Sequence, residues 1–233
     1  APKHFPNCDI VALHINHGLS SKADDWQEHC KNRCAELNVE FAAKKVSVEK
    51  QSGGLEEAAR LARYQAFTEF LQPGDCLLLG HHINDQAETL LLRLMRGSGP
   101  KGLSAMAQAR MLGVHPLIRP LLEVDPQQLH EYLVKRDVAW VEDDSNADEG
   151  FDRNFLRHQV MPLLESRWPG FSQRWSQSTE HCRQADSQLD ELAKLQLRSC
   201  DVKSERLGCS LSLNTLLELA SPSQDQLLRY WFG

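Results

Sequence analysis

The first hundred residues alternate between short aliphatic runs and longer amphipathic stretches, and few folds accept that order. Asp9 to Asn16, Val39 to Val48 and Cys76 to Gly80 have the length and apolar content of buried strands. Ala23 to Leu37 carries Trp26, Cys30, Cys34 and Leu37 at near-helical spacing, so it reads as an amphipathic helix. Leu55 to Leu71 and Asn84 to Met95 read as two more helices, the first entered through a Gln51 to Gly54 loop. Strands that alternate with helices pair in parallel through crossovers, which predicts an α/β fold with a doubly wound parallel sheet. Ligands of such sheets bind at the C-terminal strand ends. Two of those ends carry chemically able groups: His14, Asn16, His17 and Gly18 after the first strand, and His81, His82, Asn84 and Asp85 after the third.

Further along, Asp125-Pro126-Gln127-Gln128 opens a helix, with Asp125 as N-cap, Pro126 at the first helical position and Gln128 completing a capping box. Asn154 to Glu165 reads as another helix, and Trp168-Pro169-Gly170 breaks the chain. Phe171 to Leu197 is helical and polar, without strand signals. These features predict a catalytic-type domain over 1–185 and the start of a helical second domain over 186–233. The apolar end Tyr230-Trp231-Phe232 looks cut.

No apolar run approaches the roughly 18 residues of a membrane span, and the start lacks the apolar stretch of a signal peptide. A hydrophobic content of 41% and charged content of 25% predict a soluble globular chain. The seven cysteines are odd in number and include no C-x-x-C pair, which favours a reducing, cytoplasmic setting over a metal or disulfide framework. The net charge of −6 hides a segregation. Thr89 to Leu122 holds no acid but includes Arg93, Arg96, Lys101, Arg110 and Arg119, while Glu123 to Asp152 holds ten acids. A basic face of that kind suits a polyanion, although an ordinary surface fluctuation reads the same way.

The strongest chemical element is Gly80 to Thr89. It runs from a strand into a helix N-terminus and places Asp85 and Glu88 on one helical face, beside two histidines. Carboxylates there can cap the helix, hold Mg²⁺ or orient an amine; the histidines favour the functional reading. Arg60 and Arg63 lie on one helix and can grip phosphates, or pair locally with Glu56. Arg96-Gly97-Ser98-Gly99-Pro100-Lys101 offers backbone N–H groups and two cations to an anion, as a plain surface turn also would. Arg153 and Arg157 share a face four residues apart, after the acidic Glu142-Asp143-Asp144-Ser145-Asn146. Ser52-Gly53-Gly54-Leu55-Glu56-Glu57 imitates the S-G-G-x-D-[ST] phosphate loop of ATP pyrophosphatases, but it places Glu56 and Glu57 where that loop has a short Asp and a hydroxyl. Two carboxylate arms there repel pyrophosphate, so the segment reads as a helix entry.

Taken together, His14 to Leu19, Glu56 to Tyr64, His82 to Thr89, Arg96 to Met106, Ile118-Arg119-Pro120-Leu121, and Glu142 to Asn146 with Arg153 to Arg157 resemble the tRNA(Ile)-lysidine synthetases. These belong to the PP-loop ATP pyrophosphatases, which have an adenine nucleotide α-hydrolase-like fold. The last pair of motifs is the most specific to them. The chain has Asn84 where the family usually has Asp. The family's first strand and S-G-G-x-D-S loop precede the matched region, so a fragment that is inactive alone is expected.

The resemblance implies ATP and Mg²⁺ as cofactors, and L-lysine and a tRNA(Ile) with a CAU anticodon as partners; a homodimer is compatible with it. In the implied reaction cytidine O2 attacks the α-phosphorus of ATP and pyrophosphate leaves, after which the lysine ε-amine attacks C2 and AMP leaves. Implied roles are catalytic for Asp85, Glu88, His82 and Arg63, with Asp85 also a Mg²⁺ ligand. His14, Asn16, His17, Gly18 and Arg153 fall to ATP, and Arg93, Arg96, Lys101, Arg119 and Arg157 to tRNA. The rival readings are a tRNA thiolase of the same fold and a non-catalytic RNA- or nucleotide-binding module.

Overall fold

The computed structural model describes residues 8–48 and 54–232; the imitated phosphate loop at Ser52-Gly53 lies outside them. It divides into two compact units. The first contains the described residues up to Glu88 together with Ala107–Pro169, and the second Thr89–Met106 together with Gly170 onward.

In the first unit, strand β1 (Val11–Asn16) pairs in parallel with β2 (Glu40–Lys45), in register from Val11 opposite Glu40 to Asn16 opposite Lys45. Helix α1 (Ala23–Glu36) crosses between them and packs on both. After α2 (Gly54–Phe70), the two-residue strand β3 (Leu77–Leu78) pairs in parallel with β5 (His115–Ile118). The expected strand direction therefore holds, but the described strands form a two-stranded and a three-stranded sheet. The third member, β4 (Ala109–Leu112), runs antiparallel to β5. This hairpin was not expected from sequence, because Pro116 interrupts the run and argues against a strand. Its signal was the two-residue turn: Gly113, at φ +60°, takes the first turn position, where the hairpin needs a left-handed residue.

Alternation along β5 buries His115, Leu117 and then Arg119, while Pro116 and Pro120 face out. Helix α3 (Ile83–Met95) starts against this sheet, with Ile83 N–H donating to the Val124 carbonyl. Helix α5 (Pro126–Lys135) is capped as predicted by Asp125, whose carboxylate accepts from Gln127 N–H at 2.8 Å. A 3₁₀ turn at Asp144–Ala147 follows. The chain then winds through α6 (Asp152–Phe155), a π turn at Leu156–Val160, and α7 (Met161–Arg167).

In the second unit, α3 ends in a glycine cap. Gly97, at φ +65°, donates to Leu94 O, and Ser98 N–H donates to Arg93 O, the paired bonds of a Schellman motif. Helix α4 (Pro100–Leu103) follows and packs on α8 (Phe171–Ser199). The boundary expected near 185 falls inside α8, one unbroken 29-residue helix. The chain divides instead at Pro169-Gly170, where Gly170 adopts a left-handed φ of +72°. The purely helical reading of 186–233 also needs correction. Strands β6 (Lys203–Glu205) and β7 (Gly208–Ser210) form an antiparallel hairpin, fully exposed and polar, so no apolar alternation announced it. Helices α9 (Leu213–Leu217) and α10 (Ser221–Phe232) close the unit. Cys200, Leu216 and Leu227 form its core, with Leu197, Leu211, Leu219 and Leu228 packed round them. No helix among the described residues is long and apolar enough to cross a membrane.

Candidate active site

The N-terminus of α3 brings the site together. His82 is the residue before the helix, and its backbone N–H donates to Asp85 Oδ2 at 2.9 Å. This is the reciprocal half of a capping box. Asn84, expected as a cap, lies inside the first turn. One turn on, Glu88 is fully buried at 0% exposure, and an isolated carboxylate there carries a large desolvation cost. Two arginines more than sixty residues away offset it. Arg157 grips Glu88 bidentately, Nε to Oε1 at 2.8 Å and Nη2 to Oε2 at 3.0 Å, and Arg153 Nε lies 3.1 Å from Oε2. Arg157 Nη2 also donates to Asp85 Oδ1 at 3.3 Å. Burial pushes the Glu88 carboxyl above its ordinary value, and the arginines pull it back only in part.

The π turn and the preceding loop aim these arginines. Asn154 donates to Asp148 O at 2.9 Å, and His158 Nε2 lies 2.7 Å from Asn146 O, which ties loop to helix. The acids Glu142, Asp143 and Asp144 are exposed, and Asp144 pairs with Lys22 at 2.8 Å.

A cleft of about 210 Å³ is lined by Arg63, Tyr64, Phe67, Leu79, Gly80 and His81. Burial, with Arg119, Arg153 and Arg63 nearby, outweighs the pull of Asp85 and lowers His81 to about 4. Its imidazole is therefore neutral at pH 7, with Nδ1 buried and without a hydrogen-bond partner. Burial also lowers His17, aided by Arg63 and then His14, and burial alone lowers His14. The ends of β1 and β3 thus converge on Arg63.

Several expected roles change. Asn16 is buried and spends its amide inside the protein, donating to Asp24 at 2.9 Å and Gln27 at 3.2 Å and accepting from Gly18 N–H at 2.9 Å. It holds β1 to α1, and Gly18 turns the chain at φ +63°; both also line a polar pocket of about 220 Å³, with Ser20, Asp24 and Lys45 among others. Arg119, expected at a tRNA surface, is 3% exposed because it continues the inward face of β5, and it donates to Ala107 O at 2.7 Å. Arg157 serves Glu88 and Asp85. Arg93, Arg96 and Lys101 are exposed in the second unit. The N–H groups of Gly97 and Ser98 cap α3 and are not available to an anion. Gly102 is needed for packing, since a Cβ there would lie 2.5 Å from that of Ser98.

Asp85 does not fit a protein-held Mg²⁺: its oxygens meet His82 N–H and Arg157, and no three metal-holding side chains converge among the described residues. His82 Nδ1 lies 3.5 Å from Asp85 Oδ2, whereas its neighbour His81, named with it at the third strand end but given no role there, lines the cleft. Spacing alone did not separate the two adjacent histidines.

A family model described as a PP-loop domain matches residues 2–164. A curated tRNA(Ile)-lysidine synthase from Pectobacterium atrosepticum is 46% identical over 224 residues, covering 96% of this chain and 50% of that protein. One from Coxiella burnetii is 44% identical, covering 95% and 49%. The chain thus spans about half the length of the curated relatives it matches. Among solved structures, the U34-tRNA thiolase NcsA from Methanococcus maripaludis, solved with its [4Fe-4S] cluster, superposes with a TM-score of 0.58 at 14% identity. That match covers 77% of this chain and 64% of the thiolase, a likeness of fold alone.

Proposed function

The chain belongs to the PP-loop domain family, and from that premise we propose that the whole protein is a tRNA(Ile)-lysidine synthase. It joins L-lysine to C2 of the wobble cytidine in a tRNA(Ile) with a CAU anticodon, at the expense of ATP. Cytidine O2 attacks the α-phosphorus, pyrophosphate leaves, the lysine ε-amine attacks C2, and AMP departs. The seven free thiols suit a cytoplasmic setting. The observation that carries the reading is the junction at the β3 end, where Asp85 meets His82, Arg157 and, through space, His81 beside Arg63.

Each group has a task. Asp85, slightly exposed, is the carboxylate that receives the lysine ammonium and lowers the cost of bringing a cation among arginines. Glu88 is sealed by two guanidiniums and does not touch lysine; it holds Arg153 and Arg157 in place. Arg63 stabilises phosphate charge as pyrophosphate departs. His81, held neutral at working pH, can accept a hydrogen bond from the lysine amine without adding another cation beside the arginines.

The test uses full-length protein with ATP, lysine and the tRNA transcript. The product cytidine should gain one lysine less one water, and Asp85→Ala should slow turnover by about 100-fold or more without unfolding. A folded Asp85→Ala enzyme within about tenfold of wild type removes Asp85 from the site.

A further inference from the structure

Tyr64 sits among more positive charge than any carboxylate nearby neutralises. The guanidinium carbon of Arg110, from β4, lies 5.3 Å from the Tyr64 ring centroid, and that of Arg60 lies 5.8 Å away. Arg110 and Arg119 both approach the Tyr64 hydroxyl. Burial alone would raise the phenol, but these two guanidiniums outweigh it and hold Tyr64 below the ordinary tyrosine value. Arg63 precedes Tyr64 on α2 and points to a neighbouring face of that helix. Of these four arginines only Arg60 has a carboxylate, the Glu57 side chain at 2.7 and 3.0 Å. Among the described residues no carboxylate lies within ion-pair distance of Arg63, Arg110 or Arg119. Arg119 is buried with its Nε unpartnered, and burying an uncompensated cation is costly.

We propose that Arg110 and the Tyr64 hydroxyl, with Arg119 fixed behind, form a subsite for a phosphate group. A carboxylate offers two oxygens in one plane and one charge. Donors that arrive separately from α2 and β4, with a second cation behind, suit a tetrahedral, multiply charged group better. Arg110 is exposed and can touch it. Arg119 cannot, so it acts through Tyr64 as a positioning residue. The phosphate comes either from the nucleotide tail or from the tRNA backbone. This assignment rests on the proposed function for the identity of those substrates, but not for the binding itself.

The experiment measures binding of inorganic pyrophosphate and of tRNA to full-length protein, wild type against Arg110→Ala, Arg110→Lys and Tyr64→Phe. Lys31→Ala removes an exposed charge from α1 as a control. Arg110→Ala should weaken one ligand by about tenfold or more, the scale of a charge-assisted hydrogen bond. Arg110→Lys should recover part of the loss, and Tyr64→Phe should weaken the same ligand without a shift in Tm. Weaker pyrophosphate binding assigns the subsite to the nucleotide. Weaker tRNA binding, with the salt slope reduced by about 1, assigns it to the RNA backbone. No change in either ligand, or an equal loss in Lys31→Ala, overturns the proposal. Because these are binding measurements, a wild-type protein that forms no lysidine sinks the proposed function and leaves this result standing.

Discussion

Charge is used differently in the two units. In the first, Glu88 and Arg157 are 69 residues apart, and the carboxylate is fully buried. In the second, the pairs along α8, Arg183 with Glu180 and Lys194 with Glu191, are one helical turn apart; the Lys194 pair is exposed, while Arg183 is half-buried and also donates to Ser104 O and Met106 O. Local exposed pairs contribute little and can form in an isolated helix. A buried pair between distant segments exists only once the tertiary structure has formed, and breaking it strands a charge. The first unit therefore gathers charge where chemistry needs it, and the second disperses it over a scaffold.

The contrast can be broken by mutation. Glu88→Ala, which leaves Arg153 and Arg157 without their carboxylate, should destabilise the first unit by about 3 kcal/mol in urea denaturation, the low end for a broken buried pair because both arginines keep some solvent. A loss below about 1 kcal/mol would show that the cluster is solvated. A smaller effect concerns pH. The folded His81 value of about 4 lies below the ordinary 6.5, so the unfolded chain binds the proton more readily. That contribution to stability is complete above pH 6.5 and is lost as pH falls toward 4, at no more than about 1.4 kcal/mol per pH unit. His81→Gln should flatten that slope, and an NMR titration with a midpoint near 6.5 in wild type would contradict the burial.

The second unit should be sensitive to packing instead. Gly102→Ala forces a Cβ against Ser98 and should cost about 1 kcal/mol, read as a lower Tm; an unchanged Tm would mean that the turn yields. Smallest of all, Glu191→Ala should change stability by less than about 0.5 kcal/mol, and a larger loss would remove the distinction between the units.

Sequence made the local features legible. The parallel direction of β1 and β2, the Asp125-Pro126 cap and the carboxylates at the α3 start all follow from period, cap chemistry and spacing. Three kinds of feature did not. The hairpin of β4 and β5 hid behind Pro116. Arg153 and Arg157 shared a face as read, but spacing within a helix says nothing of a target 69 residues away. Which of two adjacent histidines enters a cleft depends on backbone direction at the strand end, and that direction is set by long-range pairing. Arg119 was legible in principle, since it shares the inward parity of His115 and Leu117.

The π turn at Leu156–Val160 carries a consequence for how this helix can change over time. A widened turn holds one residue more than a regular coil needs, so dropping a residue within it would restore the regular hydrogen-bonding ladder and leave the helix beyond it in nearly the same phase. The same loss from a regular turn would rotate everything after it by roughly 100° and swing Met161, now buried, toward water. The irregularity is slack in the coil: it can absorb the loss of one residue without turning the buried end away from the core.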